Sequence, residues 1–205
     1  MKVSLEGRVA LVTGGSRGIG RAIAVALAEA GADVAINYRR DQEAADETVA
    51  EIEKLGRKAR AYSASVENFE EDQLMVADVL KDFGSIGILV NNAGIAPESG
   101  PIEEKTLESW QRTISVDLDS VFLGCKHGIR TIKKYTAKGG AGGSIINISL
   151  TLVLVGQLSV SVYLAALVVS SLLPRPAAPD CADAAYIIRV NVAHTFYFIP
   201  PLASN

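Results

Sequence analysis

Thr13 to Gly20 reads TGGSRGIG, and these residues have the types and spacing to cradle an anion. The loop follows an apolar run with strand character, Val9-Ala10-Leu11-Val12, and precedes Arg21 to Leu27, which has helical spacing. Glycines at 14, 18 and 20 allow a tight turn, a close approach of backbone to ligand and close packing of helix on strand. The amides that open the helix, together with its dipole, suit a pyrophosphate. Gly14, Ser16, Arg17, Gly18, Ile19 and Gly20 are therefore the candidate contacts. The strand–turn–helix setting separates this loop from an ordinary glycine turn.

The charge beside the loop indicates which dinucleotide it would take. The second predicted strand runs into Arg39-Arg40, and no acidic residue appears before Asp41. An acidic side chain at that point would bind the ribose hydroxyls of NAD. Guanidinium groups suit a 2′-phosphate instead. Arg39, with Arg17 inside the loop, favours NADP(H) over NAD(H). The competing reading is that Arg39 and Arg40 are a solvated charge pair.

The elements that must position these residues alternate along the chain. Apolar runs predict strands at Val9–Val12, Asp33–Tyr38, Lys58–Ser63, Ile86–Asn91, Ser144–Ser149 and Ile187–Val192. Helical spacing covers Ile19–Ala30, Glu43–Leu55, Phe69–Phe83, Leu107–Ala137 and a segment after Ser161. Gly31 and Gly56 are placed to end the first two helices. The alternation implies an α/β fold, a doubly wound, Rossmann-like parallel sheet of about six strands with right-handed crossovers. Ligands in such sheets bind beyond the carboxyl ends of the strands. The glycine-rich run from Lys138 to Gly143 reads as a connection, and residues 1–205 read as one domain.

Composition narrows the function classes. The 205 residues carry a net charge of −3, which argues against nucleic acid as the main partner. Two cysteines, Cys125 and Cys181, and two histidines, His127 and His194, give neither a disulfide framework nor a metal-ligand spacing. The first strand begins within a few residues of the N-terminus, leaving no room for a signal peptide, so a cytoplasmic setting is expected. No charged residue lies between Lys138 and Arg175. That stretch divides into a buried strand and a helix more naturally than it forms a membrane anchor, since Gly156, Gln157, Ser159 and Ser161 interrupt it.

The fourth predicted strand ends Leu89-Val90-Asn91-Asn92-Ala93-Gly94. With TGGSRGIG, the spacing of the two motifs and a tyrosine at 163, the chain resembles the short-chain dehydrogenase/reductase family from about Glu6 to Pro201. Up to Ile148 it is similar to 3-oxoacyl reductases and related ketone reductases. Further on, Asp180-Cys181-Ala182, Tyr186 and Arg189-Val190-Asn191 resemble the branch containing secondary-alcohol dehydrogenases. The resemblance implies a nicotinamide cofactor, interconversion of a secondary alcohol and a ketone as small-molecule substrate, and a homodimer or homotetramer paired through the long central helix and its neighbour. By the same resemblance Asn92, Ala93 and Gly94 would line the adenosine-ribose side of the cofactor.

The catalytic positions depart from the family's pattern. The proton-exchanging tyrosine matches Tyr163. The lysine four residues later falls on Leu167, the serine thirteen residues before on Leu150, and the asparagine of the central helix on Asp117. A free tyrosine titrates at about 10. Leu167 supplies no charge to lower that value, and leucine neighbours raise it by desolvation. Leu150 cannot donate a hydrogen bond to a developing oxyanion. Ser149 and Thr151 flank it, and a local bulge would bring one of them into its role. The family's aspartate near the adenine falls on Ser65. Pro174, Pro176 and Pro179 should stop the tyrosine-bearing helix near Leu173. The chain ends at Asn205, so the family's last edge strand is expected to be missing. The second reading is a non-catalytic NADP(H)-binding member acting as a sensor or scaffold.

Overall fold

The computed structural model describes residues 4–95, 100–137, 142–150, 160–173 and 188–195. Six strands form one sheet: β1 (Val9–Val12), β2 (Asp33–Tyr38), β3 (Ala59–Ser63), β4 (Ile88–Asn91), β5 (Gly143–Leu150) and β6 (Ile188–Thr195). Their order is β3-β2-β1-β4-β5-β6. Every neighbouring pair is parallel. The connections reverse direction between β1 and β4, which makes that point the switch where a ligand crevice opens. The expected doubly wound Rossmann-like sheet is thus present, with strand ends differing from the apolar runs by a few residues.

The helices cover both faces. They are α1 (Gly18–Glu29), α2 (Gln42–Lys54), α3 (Phe69–Phe83), α4 (Leu107–Ile114), α5 (Ser120–Ala137) and α6 (Ser161–Leu172). Ala10, Val12, Val34, Ile36 and Val90 point to one face and meet Ala24 and Ala28 of α1 and Ala45 and Ile52 of α2. Leu11, Ala35, Leu89 and Ile145 point to the other and meet Met75 and Val79 of α3 and Val121, Cys125 and Ile132 of α5. Burial on both faces explains why β1 and β4 read as unbroken apolar runs rather than as alternation. The helix α5 lies close against the sheet. A Cβ on Gly124 would fall 2.2 Å from Asn91 Oδ1, and one on Gly128 would fall 2.6 Å from Leu89 Cδ2.

The single helix expected over Leu107–Ala137 is divided. A π-helical turn, Ser115–Asp119, lies between α4 and α5. A π turn inserts one residue into the helical path, a change that 3.6-residue periodicity cannot reveal. Here it carries Asp117, whose Oδ1 accepts the Ile95 N–H at 2.8 Å in the loop after β4.

The helix bearing Tyr163 stops at Leu172, as the following prolines led one to expect. Those prolines, Thr151, Asp180-Cys181-Ala182, Tyr186 and part of the 138–143 connection lie outside the described residues. No helix among the described residues is long and apolar enough to cross a membrane, and none of their His, Cys, Asp and Glu side chains group into a possible metal site.

Candidate functional site

The glycine loop is held by side chains from three strands. Thr13 Oγ1 accepts the N–H groups of Asn92 and Ala93 at 2.9 and 3.0 Å. Asn92 Nδ2 donates back to Thr13 O at 2.9 Å. Asn37 Oδ1 accepts the Gly14 N–H at 3.3 Å, and its Nδ2 donates to Ala64 O at 3.0 Å. Thr48 on α2 reaches in to donate to Ser16 O at 3.0 Å. The ends of β1, β2 and β4 are therefore laced together around one loop.

Two glycines in that loop have no substitute. Gly14 has φ of 62°, a left-handed conformation that side chains disfavour. A Cβ on Gly20 would fall 2.2 Å from Gly14 O. The start of α1 differs from its neighbours. Asp41, Asn68 and Thr106 cap α2, α3 and α4 with side-chain hydrogen bonds, whereas Arg17 makes none at α1. The first amides of α1 keep their hydrogen-bonding capacity for a ligand.

These groups open onto a cleft of about 580 Å³ at the carboxyl ends of the strands. Gly14, Ser16, Arg17, Ile19, Gly20, Arg39, Asn92, Ala93 and Gly94 line it, as does Arg40. Gly18, with φ of 57°, shapes the loop from outside that lining. Arg39 lies 3.5 Å from Glu67 Oε1, and Arg17 lies 3.9 Å from Asp41. Both guanidinium groups thus flank the opening with carboxylates close by. Its volume, its uncapped helix end and its cationic rim fit a phosphorylated dinucleotide.

A second cavity of about 160 Å³ adjoins the first. Ile19, Asn92, Ala93 and Gly94 line both. Its other walls are Asn91, Asp117, Val121, Ile148, Ser149, Leu150, Tyr163 and Leu167. Tyr163 and Ser149, the two candidate catalytic residues, are thus brought together, with Leu150 and Leu167 between and beside them. No bulge is needed. The pairing of β5 with β6 runs in register through Ser149 and Leu150, and the strand end exposes both side chains to the cavity.

Burial pushes the Tyr163 phenol up to about 12, with a smaller push from Asp117. Burial also raises the Asp117 carboxyl to about 7, against the lowering effect of the Ile95 amide.

Sequence reasoning missed Thr13 and Asn37 as organisers of the loop. The signal for Asn37 was a polar residue inside an apolar strand, which must find partners when buried. It also missed Arg112, which reaches the larger cleft from α4.

The family model for short chain dehydrogenases matches residues 8–203. Glucose 1-dehydrogenase 2 of Bacillus subtilis is 37% identical over 149 residues, 73% of this chain and 56% of that protein. The NADP-dependent (R)-specific alcohol dehydrogenase of Lentilactobacillus kefiri is 36% identical over 98% of this chain and 77% of its own length. Among solved structures, a short chain dehydrogenase from Burkholderia cenocepacia J2315 in complex with NADP matches with a TM-score of 0.84 and 37% identity, covering 93% of this chain and 74% of that one. The chain spans a little over half of the first relative and about three quarters of the other two. Sheet order, glycine loop, the Asn91–Gly94 corner and these matches agree, and the chain belongs to the short chain dehydrogenase family of oxidoreductases.

Proposed function

We propose that this protein binds NADP(H) in preference to NAD(H) and reduces a small ketone to a secondary alcohol. The observation that carries this reading is the shared wall between a cleft suited to a phosphorylated dinucleotide and a small cavity holding one buried phenol. The L. kefiri relative is NADP-dependent and acts on alcohols, and the B. cenocepacia neighbour holds NADP, which supports the same choice.

A bound dinucleotide supplies the hydride. Gly14, Ser16, Gly18, Ile19 and Gly20 hold its pyrophosphate against the start of α1, and Arg17 and Arg39 hold the 2′-phosphate. Asn92, Ala93 and Gly94 line its adenosine-ribose side. Tyr163 donates its phenolic proton to the substrate oxygen, and Ser149 offers that oxygen a second hydrogen bond. With its proton held up to about 12, Tyr163 is an acid at neutral pH and a poor base, which favours reduction over oxidation. The same proposal includes a homodimer or homotetramer in a cytoplasmic setting. Exposed Phe122 on α5 and exposed Val168, Val169 and Leu172 on α6 supply an apolar surface for pairing.

Leu150 and Leu167 in the small cavity favour a second reading, NADP(H) binding without turnover. Fluorescence titration with NADPH, followed by acetophenone-dependent loss of NADPH absorbance, separates the two. Slow turnover in the wild type, raised about 100-fold or more in the double variant L150S/L167K, is the expected result. NADPH binding with no oxidation by either protein sinks the enzyme reading and leaves the sensor or scaffold.

A further inference from the structure

Asp117 is buried in the small cavity, and the proposed reaction gives it no task. It is 3% exposed. Its Oδ1 accepts the Ile95 N–H, and its Oδ2 is buried with no hydrogen-bond partner among the described residues. A buried polar atom without a partner is costly, and such atoms gather where a ligand or a moving proton completes them. The lining holds two titratable groups, Asp117 and Tyr163. The elements around the π turn are α4, α5 and α6. From α6 Tyr163 faces Asp117. From α4 Arg112 lines the adjoining larger cleft. The contributions of α5 and β5 to the lining, Val121, Ile148, Ser149 and Leu150, carry no charge. A cavity of about 160 Å³ has room for a bridging water beside a small substrate group.

We propose that Asp117 is the proton-relay partner of Tyr163, taking over from the missing lysine by returning a proton to the phenol as the phenol gives its own to the substrate oxygen. This rests on the ketone-reducing reading above. In the reducing direction a hydride and its electron pair pass from NADPH to the carbonyl carbon, and the C=O π bond becomes an O–H bond with the Tyr163 proton. The phenolate oxygen takes the Asp117 proton directly or through one water. The products are alcohol, NADP⁺, neutral Tyr163 and an Asp117 carboxylate, which regains its proton from solvent. The reverse direction needs the carboxylate at the start. Burial holds the Asp117 carboxyl near neutrality, the range in which an acid–base group is effective at physiological pH.

The test has one arm that needs no cofactor. Infrared titration of the protein alone should show a protonated-carboxyl band lost near pH 7 in the wild type and absent in Asp117→Asn. In turnover, acetophenone reduction by NADPH should fall about tenfold per pH unit above about pH 7, and oxidation of 1-phenylethanol by NADP⁺ should rise through the same pH. Asp117→Asn should lower kcat about tenfold or more at pH 6, leave KM for acetophenone within about twofold, and flatten both profiles. A carboxyl that titrates in the usual range near 4, or a wild-type profile unchanged by Asp117→Asn, overturns the relay while the ketone-reducing function stands. No turnover by the wild type or by L150S/L167K overturns that function and the relay with it.

Discussion

Leu167 lies one helical turn beyond Tyr163, on the same side of α6 and in the same cavity. A cation at that position would favour the phenolate, whereas a leucine favours the phenol. The nearest charge to reach Tyr163 is instead the acidic Asp117, which opposes ionisation. Asp117 also affects stability. The unfolded chain releases this proton near 3.8 and the folded chain near 7. Stability is therefore greatest below about pH 4, declines as pH rises to about 7 and is level above that. The difference is on the order of 4 kcal/mol at pH 8. Asp117→Asn should accordingly raise the melting temperature at pH 8 and change it little at pH 4, checked by calorimetry at both. An equal effect at both pH values would mean that packing, not charge, is what the substitution alters. At this scale the sequence was readable wherever a residue type alone decided the chemistry, as with Leu167. It was opaque for Asp117, because burial and an orphaned oxygen depend on tertiary surroundings.

The helix α5 approaches the sheet through glycines. Asn91 occupies the space beside Gly124, with its Nδ2 donating to Asn147 Oδ1 at 2.9 Å. Gly124→Ala must displace that amide and break a buried polar pair, at a cost of about 1–3 kcal/mol. A lower urea midpoint with an unchanged m-value would report it, and an unaltered midpoint would show that the helix yields without loss. Strands and helices were legible because β1, β2 and β4 are buried on both faces and α1 to α3 carry a clear apolar stripe and, for α2 and α3, capping residues. The π turn was not legible, since the apolar stripe continues across it. The reason for its position appears only when the loop after β4 offers the Ile95 N–H to Asp117.

For the molecule as a whole, the sheet order puts recognition and reaction on opposite sides of one corner. The glycine loop and the arginines belong to β1, α1 and β2, whereas Tyr163, Ser149 and the two leucines belong to β5 and α6. Dinucleotide binding should therefore survive damage to the reacting side. At a concentration about 100 times its dissociation constant, NADPH should stabilise the wild type and Tyr163→Phe alike, by about 2.7 kcal/mol. Arg39→Ala at the same NADPH concentration should gain clearly less, measured by thermal shift. Equal shifts in all three proteins would remove Arg39 from the binding site. The alternating pattern made this architecture predictable from end to end of the described residues. Which side chains meet at the corner was predictable only for those belonging to a recognised motif.

The segment from Asn92 to Ile95 belongs to both compartments at once. Three of its residues face the dinucleotide cleft and the reaction cavity together, and the fourth lends its amide to Asp117. Thr13 and Asn92 pin it to the glycine loop from behind. It works as a party wall, so a side chain altered there is felt by both tenants. Affinity and proton transfer have separate controls only further out, at Arg39 on one side and Leu167 on the other.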